Sequence, residues 1–289
     1  MLSGIGPKDH LKTHEIECVN DVPIGQNLRD HINVAIYLQP NESVLAKAWI
    51  PTEVNIKSAR QQFLKDGTGP FAYINSCIAM GYIRDDSYLQ LNEFVHLPAE
   101  EKRHMRRDTV PHAEIVFAPL ATPWFPESFL LSLQNVIMNP QSSGTVKLAS
   151  SNPIDSPICD PAFLTHQFDR ATIIKDIRRL LSFMKVPGIA KLIDKPIIVP
   201  KSDSDEDIME FIKQTANTTW HMCCTVKMGK VDDPTTCVDS NFKIKGLEKI
   251  RVVDLSVTPF VPNCHTVSIA YWLGELAAEK ILKEYNLNE

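Results

Sequence analysis

Three observations predict an α+β fold in which an antiparallel sheet and its helices are segregated along the chain. Short runs rich in β-forming residues follow one another between Ile32 and Ser150. Turn residues rather than helices separate most of them, among them Pro123, Pro126, Pro140 and Gly144. The clearest helical stripes come afterwards, from Phe168 to Lys185 and again near the end of the chain. Successive strands without intervening crossovers pair antiparallel, because a parallel pair needs a long connection. At 289 residues the chain is long enough for a large core and one or two domains.

Residues 1 to 31 are punctuated by Gly and Pro, with turns at Ser3–Pro7 and around Gly25. They read either as two surface turns or as places where backbone approaches a ligand closely. Ile32 to Leu38 is the first strand. Glu53 to Lys65 carries a helical stripe of Val54, Ile56, Ala59 and Phe63, ended by the turn Asp66–Pro70. Further strands are expected at Phe71–Asn75, Ile78–Arg84, Asn92–His96, Glu114–Pro119, Phe129–Met138 and Thr145–Ser150. The run Glu100–Asp108 mixes both charge signs without interleaved aromatics, which predicts a solvated loop and not a nucleic-acid patch.

After the sheet, Ile173, Ile174, Ile177, Leu180, Leu181 and Met184 form one helical stripe, with Asp169 expected as N-cap and Pro187 as stop. A second helix over Lys201–Lys213 enters through Ser204, Asp205, Glu206 and Asp207, a sequence suited to the positive end of a helix dipole. Ile250 to Val253 reads as a short strand ending in Asp254. The last helix is expected from about Thr266 to Tyr285, with Ile269, Leu273, Leu276, Ala277, Ile281 and Leu282 inward.

Composition narrows the classes of partner. The net charge of −5 gives no overall cationic field to attract nucleic acid or anionic lipid. No apolar run reaches the ~18 residues of a membrane-spanning helix. Met1 is followed by no basic and apolar leader, and the start reads like the middle of a domain. The seven cysteines are irregularly spaced and form no C-x-x-C pair, so no metal site is expected and most are read as buried thiols.

Two histidines stand in mostly apolar surroundings. His265 lies just before the last helix, whose first amides lack intrahelical partners and carry partial positive charge. It reads as a helix cap or as a functional residue. His221 follows Trp220 and precedes the run M-C-C-T-V-K-M-G; it reads as a hydrogen-bonded core residue or as a functional one. There is no G-x-S-x-G, H-E-x-x-H, P-loop or strand-following G-x-G-x-x-G.

Three stretches together resemble the glucose–methanol–choline (GMC) family of FAD-dependent oxidoreductases. They are L-S-G-I-G-P-K-D-H-L with V-P-I-G-Q-N-L-R-D-H; N-P-Q-S-S-G-T-V-K-L-A-S-S-N-P with D-P-A-F-L; and W-H-M-C-C-T-V-K-M-G with R-V-V-D-L-S-V-T-P and N-C-H-T-V. They cover almost the whole chain in family order. The insect glucose-dehydrogenase-like branch is the group it looks most similar to. The resemblance implies FAD as cofactor and a small-molecule alcohol or sugar as substrate. It implies that a histidine takes the hydroxyl proton while hydride leaves to flavin N5. On matching positions His221 is the base or hydrogen-bond partner, and His265 its companion. Asp254, Leu255 and the backbone at Thr266 and Val267 would touch FAD. Asn27 and His31 match a motif without an assigned role.

The resemblance also implies a division of the chain. Residues 1–31 would be a remnant of the FAD-binding domain, 32–235 the substrate-binding domain, and 236–289 the return into the FAD-binding α/β domain. Family members run to about twice this length and open with a Gly-rich βαβ fold. That half is missing here, so the expectation is a truncated chain that binds FAD weakly or not at all alone. The alternative is a non-catalytic remnant or binding module that holds no FAD. Two departures stand out: Cys224 where relatives usually have Gly, and Val226 where many have Cys. A side chain at 224 would crowd the turn after His221 or narrow the pocket.

Overall fold

Side-chain alternation decides the central strand. Along β2 (Ile32–Pro40), Val34, Ile36 and Leu38 are fully buried two residues apart, which is the period of a strand with one face on the core. The structure is a computed structural model that describes residues 1–45, 49, 53–72, 79–122 and 125–287, with side chains described outside 120–128. The chain divides into two compact units. The first comprises Met1–Ile32, Met138–Arg170 and Thr218–Glu289, and the second Asn33–Ile137 and Ala171–Asn217.

The second unit is built on an antiparallel sheet. Besides β2 it contains β3 (Ala79–Ile83), β4 (Ala113–Thr122), β5 (Phe125–Ile137) and β8 (Ile193–Ile198), in the order β3-β4-β5-β2-β8. A sixth, two-residue strand, Asn217–Thr218, pairs with β2 off that path. In the β2–β5 pair Val34 faces Asn135 and Ile36 faces Leu133. The helix Gln167–Phe183 completely buries Ile173, Ile177 and Leu180 of the expected stripe, while Ile174 and Leu181 are half-buried and Met184 lies beyond its end. Within this unit Asp176 of that helix is 1% exposed and accepts from Asn135 Nδ2 of β5 at 3.0 Å. It also accepts from Tyr88 Oη, and Arg179 Nη1 lies 3.1 Å away. The helix Asp205–Thr215 starts where Ser204 predicts, the Ser204 hydroxyl accepting from Asp207 N at 3.2 Å.

Several local expectations are overturned. Asn92–Val95 is a short helix, not a strand, and Ala99–Met105 is a helix where a loop was expected. Met105 is its reason: the one apolar residue of that charged run is buried at 1%. In the helix Glu53–Asp66 only Ala59 is buried, while Val54, Ile56 and Phe63 are exposed. Phe71 and Ala72 belong to a 3₁₀ turn, and the rest of the strand expected at Phe71–Asn75 lies outside the described residues. Asp169 lies inside its helix rather than capping it. Its carboxylate accepts from Gln141 N at 2.8 Å and Ser142 N at 2.7 Å, ordering a loop of the first unit.

The first unit holds a three-stranded antiparallel sheet of β1 (Gln26–Leu28), β6 (Gly144–Lys147) and β7 (Ile158–Asp160), in the order β1-β6-β7. Its core gathers Ile5, Val22, Val226, Val238, Phe242, Ile244, Val257, Leu273 and Ala277. The terminal helix runs Val267–Glu284 and buries only Leu273 and Ala277 of its expected stripe; Leu282 is exposed. Ile250–Val253 forms no strand, Arg251 making a single bridge to Lys243. Gly25, at φ +86°, does allow a close backbone approach, but to the protein itself. A Cβ there would stand 2.2 Å from Val146 O, and Val146 N donates to Gly25 O at 2.7 Å.

Candidate active site

His221 is placed by backbone pairing between two remote segments of the first unit. Arg29 and Cys223 exchange both hydrogen bonds of an antiparallel bridge, at 3.2 and 2.9 Å, and Thr219 N donates to His31 O at 3.3 Å. Asp30 ties the turn between them. Its carboxylate accepts from His221 N at 3.0 Å, from Thr219 Oγ1 at 3.4 Å and from Thr218 Oγ1. Asp30 is only 2% exposed. Burial raises its pKa, and these hydrogen bonds pull it back down.

The pairing puts three histidines together. His221 and His265, both anticipated from sequence, have ring centroids 5.2 Å apart. His31 lies on the other contact of His221: the two Nδ1 atoms are 2.9 Å apart, and the rings meet edge to face at 5.1 Å. His31 is fully buried, His221 half-buried and His265 exposed. Burial, then the neighbouring His221 and His265, lowers the pKa of His31 to about 3. Burial and His265 also lower that of His221. Both rings are therefore neutral at neutral pH, the state in which an imidazole can accept a proton. Reading the sequence assigned no role to His31. The signal was the Asp30–His31 pair in the Gly-punctuated loop, which no local pattern connects to residues 190 positions away.

The loop carrying His265 is held by Asn263, whose Nδ2 donates to Met138 O at 3.0 Å and Asn139 Oδ1 at 2.8 Å. Thr266 is buried next to it, at the N-cap of the terminal helix, and its side chain makes no capping bond. Val267 is exposed at the first turn. Asp254 is exposed and caps the 3₁₀ turn Leu255–Val257, accepting from Ser256 N at 2.8 Å. Leu255 is half-buried and its carbonyl accepts from Cys224 N at 3.2 Å, so the Asp254 turn adjoins the loop segment carrying His221.

Cys224 adopts φ +76°, the left-handed region that favours glycine. Its side chain is fully buried and points into a small cluster with Cys223 and Val261. The Cys223 and Cys224 sulfurs are 3.1 Å apart, and Cys224 Sγ lies 3.4 Å from Thr258 Oγ1. Of the described cysteines, Cys223, Cys224 and Cys237 are buried, Cys18 and Cys264 half-buried and Cys159 exposed; Cys77 lies outside the described residues. No cluster of His, Cys, Asp or Glu among the described residues could hold a metal ion. No helix there is long and apolar enough to cross a membrane.

The fold is the mixed helix and antiparallel-sheet fold of the GMC oxidoreductase substrate domain. The chain belongs to the GMC oxidoreductases, residues 140–274 matching the carboxy-terminal GMC oxidoreductase family profile. It is 31% identical over 296 residues to an alcohol dehydrogenase [acceptor] of Pseudomonas putida, covering 99% of this chain and 49% of that protein. It is 30% identical to an oxygen-dependent choline dehydrogenase of Brucella anthropi, covering 98% of this chain and 49% of the relative. Among solved structures it superposes on an Aspergillus oryzae formate oxidase with a TM-score of 0.83 and 24% identity, over 99% of this chain and 52% of the other. The chain spans about half the length of the curated relatives it matches.

Proposed function

We propose that this chain supplies the substrate domain and the proton-handling histidines of an FAD-dependent oxidoreductase acting on the CH–OH group of an alcohol or sugar. The observation that carries this reading is the His31–His221–His265 cluster, two of its rings held neutral. In it His221 takes the hydroxyl proton of the substrate, and His265 assists as its companion. A positioned general base contributes about 10²- to 10⁴-fold in rate.

The residues fit a flavin on two observations. The terminal helix presents its first amides without a side-chain cap, a suitable partner for the negative charge of a reduced isoalloxazine. Trp220, Tyr271 and Trp272 are exposed at 74%, 75% and 59%, an unusual density of bare aromatic surface beside His221 and along that helix. Asp254, Leu255, Thr266 and Val267 are the residues proposed to contact FAD. When bound, FAD supplies at its N5 the acceptor for the hydride leaving the carbinol carbon. The proposed division is residues 1–31 and 236–289 on the FAD side and 32–235 on the substrate side. Further polypeptide, matching the other half of the relatives' length, completes the flavin site. The substrate class to assay first is that of the insect glucose-dehydrogenase-like branch, sugars and small alcohols.

The test is anaerobic spectroscopy on the purified polypeptide that carries this chain. The reading expects bound FAD whose oxidised absorbance bleaches when an alcohol or sugar is added. Half-length coverage favours a second reading, a binding module without flavin. A folded protein that neither carries FAD nor takes it up would establish that second reading instead.

A further inference from the structure

We propose that His31 is a positioning residue that sets the tautomer of His221, accepting a hydrogen bond from His221 Nδ1–H and so leaving the Nε2 lone pair of His221 free to take a proton. The tautomer follows from the contact distance together with the surroundings of the His31 ring. Its value for catalysis rests on the proposed function above.

The two Nδ1 atoms are 2.9 Å apart. At that distance two bare nitrogens repel and two N–H groups collide, so one proton lies between them. Two arrangements satisfy this. In the first, His31 Nδ1–H donates. His221 then carries its proton on Nε2 and cannot act as a base there. In the second, His221 Nδ1–H donates, and His31 carries its proton on Nε2.

The surroundings of His31 favour the second. The ring is fully buried, and its Nε2 has no hydrogen-bond partner of good geometry among the described residues. The Met138 and Pro262 carbonyls nevertheless act on the ring in the direction that favours a proton. Nδ1 is already engaged with His221, so that preference falls on Nε2–H. A bare Nε2 lone pair set against carbonyl oxygens is electrostatically the worse choice. The titratable groups facing the pair are His265 and Asp30. Asp30 receives the His221 main-chain N–H, and the bridge between Arg29 and Cys223 fixes the register of the two rings. This matches the general rule that the hydrogen bond at one imidazole nitrogen decides what the other can do.

The test is long-range ¹H–¹⁵N correlation NMR on the 289-residue chain labelled at histidine nitrogen, which needs no flavin. The expected result at neutral pH is a bare Nε2 and protonated Nδ1 for His221, and the reverse for His31. In His31→Phe the acceptor is lost, and His221 is expected to shift to the Nε2–H form that free imidazole prefers. In His31→Gln the amide oxygen can accept in its place, and the Nδ1–H form is expected to return. A wild-type spectrum showing His221 protonated on Nε2 overturns the inference, even if the Phe variant does not fold. So does a His221 tautomer that is the same in wild type and a folded His31→Phe. The predicted tautomers in a protein without alcohol oxidation would overturn the proposed function and leave this inference standing.

Discussion

His31 and His221 stand Nδ1 to Nδ1 at 2.9 Å, a fully buried ring against a half-buried one. Because His31 lies just before β2 and His221 in the loop after the last helix of the second unit, the contact exists only when the first unit is folded around both segments. The contact thus links stability, proton affinity and the reactivity of the neighbouring imidazole.

His31 stays neutral in the folded protein down to about pH 3, while in the unfolded chain it takes a proton near pH 6.5. Below pH 6.5 the unfolded state binds more protons. The contribution of His31 to stability is therefore complete above pH 6.5 and is lost as pH falls toward 3. Between pH 7 and 5 wild type should lose about 2 kcal/mol more stability than His31→Gln, measured by urea denaturation at both pH values. Comparing the two proteins cancels Asp30, whose raised pKa acts in the opposite sense.

Asp30 supports the turn that presents His221. Replacing it with Ala leaves His221 N and the Thr218 and Thr219 hydroxyls without their shared acceptor. A cost of about 2–3 kcal/mol is expected, read as a lower thermal midpoint. The His221–His265 ring contact should loosen with it, visible as broadened His221 resonances.

Asp176 tests the second unit. Burial pushes its carboxyl well above the usual carboxylate range, against the pull of Arg179. Its partners Asn135 Nδ2, Tyr88 Oη and Arg179 Nη1 all donate to the carboxylate, so Asp176→Asn keeps one accepting oxygen, turns an amide N–H toward a donor and should cost about 1–2 kcal/mol. Asp176→Ala strands Asn135 Nδ2, Tyr88 Oη and Arg179 and should cost about 3 kcal/mol. Chemical denaturation of the two variants side by side separates these outcomes.

Cys224 tests the departure from the family's glycine. Its positive φ makes a β-branched side chain costly, so Cys224→Val should destabilise by about 2–3 kcal/mol. Cys224→Gly relieves the backbone but empties a buried site, and the two effects should nearly cancel, within about 1 kcal/mol. Thermal melts of both variants check the sign.

The sequence carried the architecture where periodicity is strong. Val34, Ile36 and Leu38, and Ile173, Ile177 and Leu180, are buried on the faces their spacing predicts. It misled where charge hid a single anchor, as at Met105, and where apolar residues at helical spacing stay exposed, as at Val54 and Phe63. The Cys224 side chain does not crowd the turn after His221; it lies in the core, at the φ a glycine would take. The meeting of His221 and His265 was legible through motif context. The contact of His31 with His221 was not, because it depends on a pairing 190 residues long that no local pattern encodes.

The most direct test of the account is the rate at which substrate bleaches enzyme-bound FAD in a single anaerobic turnover, compared between wild type and His221→Ala. Bound flavin is expected in both proteins, with a bleaching rate at least about 100-fold lower in the variant. Equal bleaching rates in the two proteins would contradict it.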